Sequence, residues 1–203
     1  MIALIDYRAG NLTSVKKALA AIGADVWVPE SPLELARAAA VIVPGVGHFG
    51  ATRSLDDKWV DAIRVRIRED RPLLGICLGL QWLFEGSDEA PDLPGLGLLD
   101  GRCHRMSGHA QNGTSVKIPH VGWNSLAIRR EVPIVSGVPA GSQVYFTHSF
   151  VAPVTGDTVA VTEHGEAFAS VVSRGRVAGV QFHPEKSGEV GLLILRNWLA
   201  TVA

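Results

Sequence analysis

Cys77, one of two cysteines, lies between glycines in the stretch Gly75-Ile76-Cys77-Leu78-Gly79. An apolar run ends at Gly75 and a helical pattern follows Gly79. The form G-x-nucleophile-x-G, after a strand and before a helix, makes a tight elbow in hydrolases. Its glycines let the backbone turn sharply and let neighbouring elements approach. The elbow lifts the nucleophile to the carboxyl end of the sheet, where open α/β sheets bind ligands. The helix N-terminus that follows favours a thiolate, and the amide of Leu78 is free to meet a developing oxyanion. The same five residues also fit a small apolar cysteine packed into a core; the paired glycines favour the nucleophile.

A cysteine nucleophile needs a base and a group that orients the base. Of seven histidines, His48, His104, His109 and His164 carry no supporting pattern. His183 differs, because a strand delivers it directly before Pro184 and Glu185. Residues two apart on an extended segment project to one side. Glu185 can then accept from one imidazole nitrogen while the other faces Cys77, which is triad logic with a glutamate as the orienting group. On its own, His-Pro-Glu fits a polar surface turn equally well. His-x-Glu also begins the zinc-deaminase signature, but the Pro-Cys-x-x-Cys half is missing from this sequence. Two isolated cysteines do not make the ligand set of a structural zinc site, so neither metal nor cofactor is expected. A second oxyanion donor is sought in Pro44-Gly45-Val46-Gly47, whose glycines permit unusual peptide orientations. That loop matches neither the P-loop nor the dinucleotide-binding pattern.

These residues must be held by a framework, and the first half of the chain alternates between two periods. Residues 2–6, 25–28, 40–43 and 72–76 read as short buried strands. Between them, Leu12, Val15, Leu19 and Ile22 mark a helix face after a cap at Asn11; Ser31-Pro32 opens a second helix, and residues 59–69 form a third. The expectation is an α/β fold: an open, mostly parallel sheet with helices on both faces. After residue 90, Pro and Gly interrupt the chain, and short β-like stretches with turn residues imply antiparallel extensions in the second half. A last helix spans about 189–201, with Val190, Leu193, Ile194 and Trp198 on one face. Residues 1–203 are expected to form one domain.

Composition narrows the function classes. The chain has 203 residues, 47% apolar, with a net charge of −1. Disorder is excluded by the apolar content, and a broad basic nucleic-acid surface by the charge. Arg64, Arg66 and Arg68 alternate with apolar residues and read as a solvated helix face. No membrane-spanning run and no signal peptide are visible. With no disulfide framework either, a reducing, cytoplasmic setting is expected.

Taken together, GICLGLQ, HPEKS and PGVG, in their order and separations, resemble the class I, triad-type glutamine amidotransferases. DYRAGNLTSV, IPHVGWN and YFTHSF narrow the resemblance to the glutaminase subunits of imidazole glycerol phosphate synthase in histidine biosynthesis. The likeness runs from the first strand to LLILRNWL near the end. Arg8 departs from it, standing where the family commonly carries glycine. The resemblance implies Cys77 as nucleophile, His183 as general base and acid, and Glu185 as orienting group. Backbone donors would come from Gly45, Val46, Gly47 and Leu78. Gln81, Ser149 and Phe150 would line the glutamine pocket; by its spacing alone, Gln81 is equally an exposed helix residue. The resemblance also implies a heterodimer with a (β/α)8-barrel cyclase subunit, which would be met by Asn11, His120, Trp123, Asn124 and Lys186. The segment 118–124 is expected to be a loop, where a Trp commonly fills a core gap. Other readings at this point are an amidotransferase with another acceptor, a silent regulatory subunit and a cysteine peptidase of similar architecture.

Overall fold

The computed structural model describes residues 1–10, 12–110 and 112–202. The cap and interface expectations for Asn11 therefore lie outside the described residues. The first half comprises β1 (Ile2–Leu4), α1 (Leu12–Ala21), β2 (Val26–Trp27), β3 (Ala40–Val43), α2 (Asp57–Arg68), β4 (Leu73–Ile76) and α3 (Leu78–Leu83). The second half comprises β5 (Gly86–Ser87), β6 (Arg102–Arg105), β7 (His120–Ser125), β8 (Ala127–Ile128), β9 (Gln143–His148), β10 (Phe150–Val151), β11 (Thr158–His164), β12 (Glu166–Arg174), β13 (Val177–Val180) and α4 (Gly188–Leu199).

The main sheet runs in the order β2-β1-β3-β4-β13-β12-β11-β8. The pairs from β2 to β13 are parallel and those from β13 to β8 antiparallel. The expected α/β architecture is the one found. Alternate residues of each strand feed opposite cores. Ile2, Leu4, Ala40 and Ile42 pack with Val15, Leu19, Ile194 and Trp198 of α1 and α4. Ala3, Val41, Val43 and Leu73 pack with Ile63, Leu80 and Leu83 of α2 and α3.

Local chemistry sets the boundaries. Asp56 caps α2 by accepting from the amides of Lys58 and Trp59, each at 3.1 Å, so that helix starts before residue 59. The segment after Ser31-Pro32 closes as a 3-10 turn over Pro32–Arg37 instead of an α-helix, with the Ala38 amide donating three residues back to the Leu35 carbonyl at 2.9 Å. Arg8 holds a positive φ of 63°, the conformation glycine adopts freely, so the backbone at this departure from the family pattern keeps the glycine shape.

One expectation fails outright. Residues 120–125 form a strand, β7, paired antiparallel to β9 from His120↔His148 to Ser125↔Gln143. The large apolar side chains of this strand, Val121 and Trp123, face outward.

Candidate active site

The main sheet places Cys77 immediately after β4 and His183 just past β13, its neighbouring parallel strand. Cys77 has φ 53° and ψ −105°, the strained turn of a nucleophile elbow. Its amide donates to the Val180 carbonyl at 2.8 Å, and its carbonyl accepts from the Gln81 amide at 3.1 Å. A Cβ on Gly75 would come 2.5 Å from the Gly79 carbonyl oxygen. One on Gly79 would come 1.8 Å from that of Val43. Both glycines are thus required by close approach of backbone to backbone.

His183 is buried, and its Nδ1 meets Glu185 Oε1 at 2.8 Å; the Glu185 side chain is 3% exposed. An extended segment does not produce this pairing. Pro184–Lys186 forms a 3-10 turn, which folds Glu185 back under the imidazole. Burial disfavours the imidazolium, but the Cys77 sulfur and then Glu185 outweigh it and hold His183 up at about 10. The turn is fixed in its own right. Ser187 Oγ donates to the His183 carbonyl at 2.7 Å and accepts from the Tyr145 amide at 3.0 Å.

A cavity of about 310 Å³ opens above the sulfur. Its lining includes Val46, Gly47, Leu78, Gln81, Ser149 and Phe150, as expected from sequence. Gln81 is buried, not exposed, and its Nε2 donates to the Phe150 carbonyl at 2.9 Å. Four lining residues, Glu89, Pro119, Thr147 and His148, have no role in the sequence reading, and two of them are ionisable. Glu89 brings a carboxylate, which also accepts from the Phe49 amide at 2.7 Å. His148 brings a buried imidazole. Glu89 has no short-range pattern around it, and His148 lies within YFTHSF without a role that its spacing assigns. The Leu78 amide is not free, because it donates to the Gly45 carbonyl at 3.3 Å. Gly45 itself is held close, since a Cβ there would lie 1.9 Å from Tyr7 Oη.

On β7, Val121 and Trp123 are 58% and 56% exposed, so Trp123 fills no core gap. Trp123 packs edge-on against Tyr145 at 6.1 Å, and Lys186 Nζ lies 5.8 Å above the Tyr145 ring. These three form one outward patch. His120 is instead buried beneath it, stacked between Phe146 and His164. Its ring joins His148 Nε2 and Asn124 Nδ2, each at 3.3 Å. Asn124 also donates to the Glu163 carbonyl at 2.9 Å. Hydrogen bonds thus connect the cavity wall to the base of the patch.

A buried thiol beside an imidazole backed by a carboxylate can attack a carbonyl carbon and protonate the leaving group. The fold and this constellation define a glutaminase-type α/β domain, and the comparisons agree. The glutamine amidotransferase class-I family profile matches residues 3–202, and the chain belongs to that family. Within it, the chain is similar to proteins named imidazole glycerol phosphate synthase subunit HisH. The relative from Geobacillus kaustophilus is 46% identical, over 98% of this chain and 96% of that one. The relative from Thermococcus kodakarensis is 42% identical, over 98% of each. A crystal structure of a glutamine amidotransferase shares the fold at a TM-score of 0.75 and 21% identity, covering 100% of this chain and 99% of that one.

Proposed function

We propose that residues 1–203 form one domain acting as the glutaminase subunit of imidazole glycerol phosphate synthase in the cytoplasm. It hydrolyses glutamine and passes ammonia to a (β/α)8-barrel cyclase subunit. The Cys77–His183–Glu185 constellation beneath the cavity carries this reading. The Cys77 thiolate attacks the side-chain amide carbon of glutamine. His183, held as the imidazolium, gives its proton to the departing nitrogen, and the C–N bond breaks to release ammonia. The neutral imidazole then takes a proton from water. The water oxygen bonds the acyl carbon, the C–S bond breaks and glutamate leaves. Gln81, Ser149 and Phe150 seat the substrate, and the Glu89 carboxylate receives its α-ammonium.

Free ammonia is largely protonated at neutral pH and is then no nucleophile, so enclosed delivery to a partner serves the chemistry. The outward patch of Trp123, Tyr145 and Lys186 supports such docking, with Asn124 and the buried His120 bracing it from below. Release of ammonia without a partner is restrained by the Gly45 carbonyl, which occupies the Leu78 donor. Turning the Gly45–Val46 peptide would free that amide and swing the amide of Val46 toward the cavity. Glutamate release is the test, measured for the chain alone and with the barrel subunit plus its nucleotide ligand. Strong stimulation that vanishes in Cys77→Ala is expected. Equal rates with and without the liganded partner would remove the coupling.

A further inference from the structure

Gln181 belongs to none of the groups assigned so far, yet it is fully buried and its Nε2 donates to Cys77 Sγ at 3.7 Å. We propose that Gln181 is a catalytic residue, a fixed amide donor to the reacting sulfur whose orientation is locked from the glutamine pocket through Gln81.

The lock follows from an acceptor that cannot be reassigned. The Phe150 carbonyl is backbone and can only accept, so the Gln81 amide must present Nε2 to it, at 2.9 Å. The same nitrogen also donates to Gln181 Oε1 at 3.3 Å. The Gln181 oxygen is thereby fixed toward Gln81, which leaves its NH2 toward the sulfur. A flipped Gln181 would set two donors against each other. Phe150 and Gln81 line the cavity while Gln181 does not, so the substrate meets the outer end of the chain and the sulfur meets the inner end.

An N–H donor stabilises sulfur when it carries charge, which happens twice in the cycle. Before attack it faces the thiolate whose proton His183 holds. During hydrolysis of the thioester, the C–S bond breaks as the C–O bond to water forms, the water proton passes to His183, and the electron pair returns to sulfur facing the Gln181 amide. The sulfur is then the leaving group, and a donor aimed at it eases its departure.

This inference rests on Cys77 being the nucleophile proposed above, and two readouts separate the claims. Gln181→Met keeps the side-chain length and removes the donor. His183 already holds the proton at pH 7, so loss of the donor leaves a less stabilised and more nucleophilic thiolate; alkylation of Cys77 by iodoacetamide, followed by peptide mass mapping, should quicken about threefold in that variant. In glutamine hydrolysis, kcat should fall about tenfold, one hydrogen bond's worth, while KM stays within about twofold, since Gln181 does not line the cavity. A packing role alone would leave the alkylation rate of a folded variant unchanged, and that result would overturn the proposal. Faster alkylation of the variant with no glutaminase activity in the wild-type chain would keep the hydrogen bond and discard the functional reading. Should Gln181→Met not fold, side-chain amide NMR of the wild-type chain against Cys77→Ala decides. A displaced Gln181 NH2 resonance is expected, and an unchanged one would contradict the proposal.

Discussion

At the residue scale, Cys77, His183 and Glu185 were legible because short, local patterns carry them. The spacing of His183 and Glu185 suggests an extended segment, but a 3-10 turn makes their pairing. Glu89 and Gln181 were not legible, since each depends on contacts from distant parts of the chain: Glu89 touches Phe49 and Gln181 touches Cys77 and Gln81. Glu185→Gln removes the charge that orients and stabilises the imidazolium, and kcat for glutamine hydrolysis should fall roughly 10²- to 10⁴-fold. The His183 titration, followed by NMR of the imidazole Cε1 proton, should move down from about 10 in that variant and further in Cys77→Ala. A His183 midpoint unaffected by either change would contradict the charge arrangement. Glu89→Gln should raise KM for glutamine about tenfold or more with little change in kcat, in keeping with loss of a charged hydrogen bond.

Strand β7 shows at the scale of elements where patterning misleads. Its inward positions carry His120 and Asn124, and its outward ones carry Val121 and Trp123. Hydrophobic alternation assumes that the apolar side faces the core; here it faces out, and the segment read as a loop. The parallel strands β1, β3 and β4, buried on both faces, obey the ordinary rule and were found. An exposed Trp on a regular strand contributes little to folding. Trp123→Ala should leave the unfolding midpoint nearly unchanged and weaken binding of the barrel subunit about tenfold or more, measured by calorimetric titration. The elbow should respond in the opposite sense. Gly79→Ala drives a Cβ into the Val43 carbonyl and should cost about 3 kcal/mol or more in chemical denaturation.

For the whole molecule, buried histidines set both edges of the stability profile. Burial, and then the neighbouring His164, holds His120 down at about 4. Burial, and then His120, holds His148 down at about 3. Unfolded histidine titrates near 6.5. Below that pH the unfolded chain takes up protons that the native chain refuses, so stability from these two is full above about 6.5 and is lost as pH falls toward 4 and 3. His183 works the other way. Its contribution is full below about 6.5 and is lost as pH rises toward 10. Denaturant unfolding from pH 4 to 10 should therefore show loss on both sides, and His148→Phe should flatten the acid side.

Glutamine hydrolysis depends on the thiol in the elbow, and the chain supplies its own control. Cys103 is fully buried, and burial pushes its thiol well above the ordinary range, so it should stay inert in the native protein. The most direct measurement is labelling with an electrophilic glutamine analogue, read by intact mass and peptide mapping. One adduct per chain on Cys77, suppressed by excess glutamine and absent in Cys77→Ala, is the predicted result. Labelling at Cys103 or elsewhere, or labelling of Cys77 that glutamine does not suppress, would contradict the proposed active site.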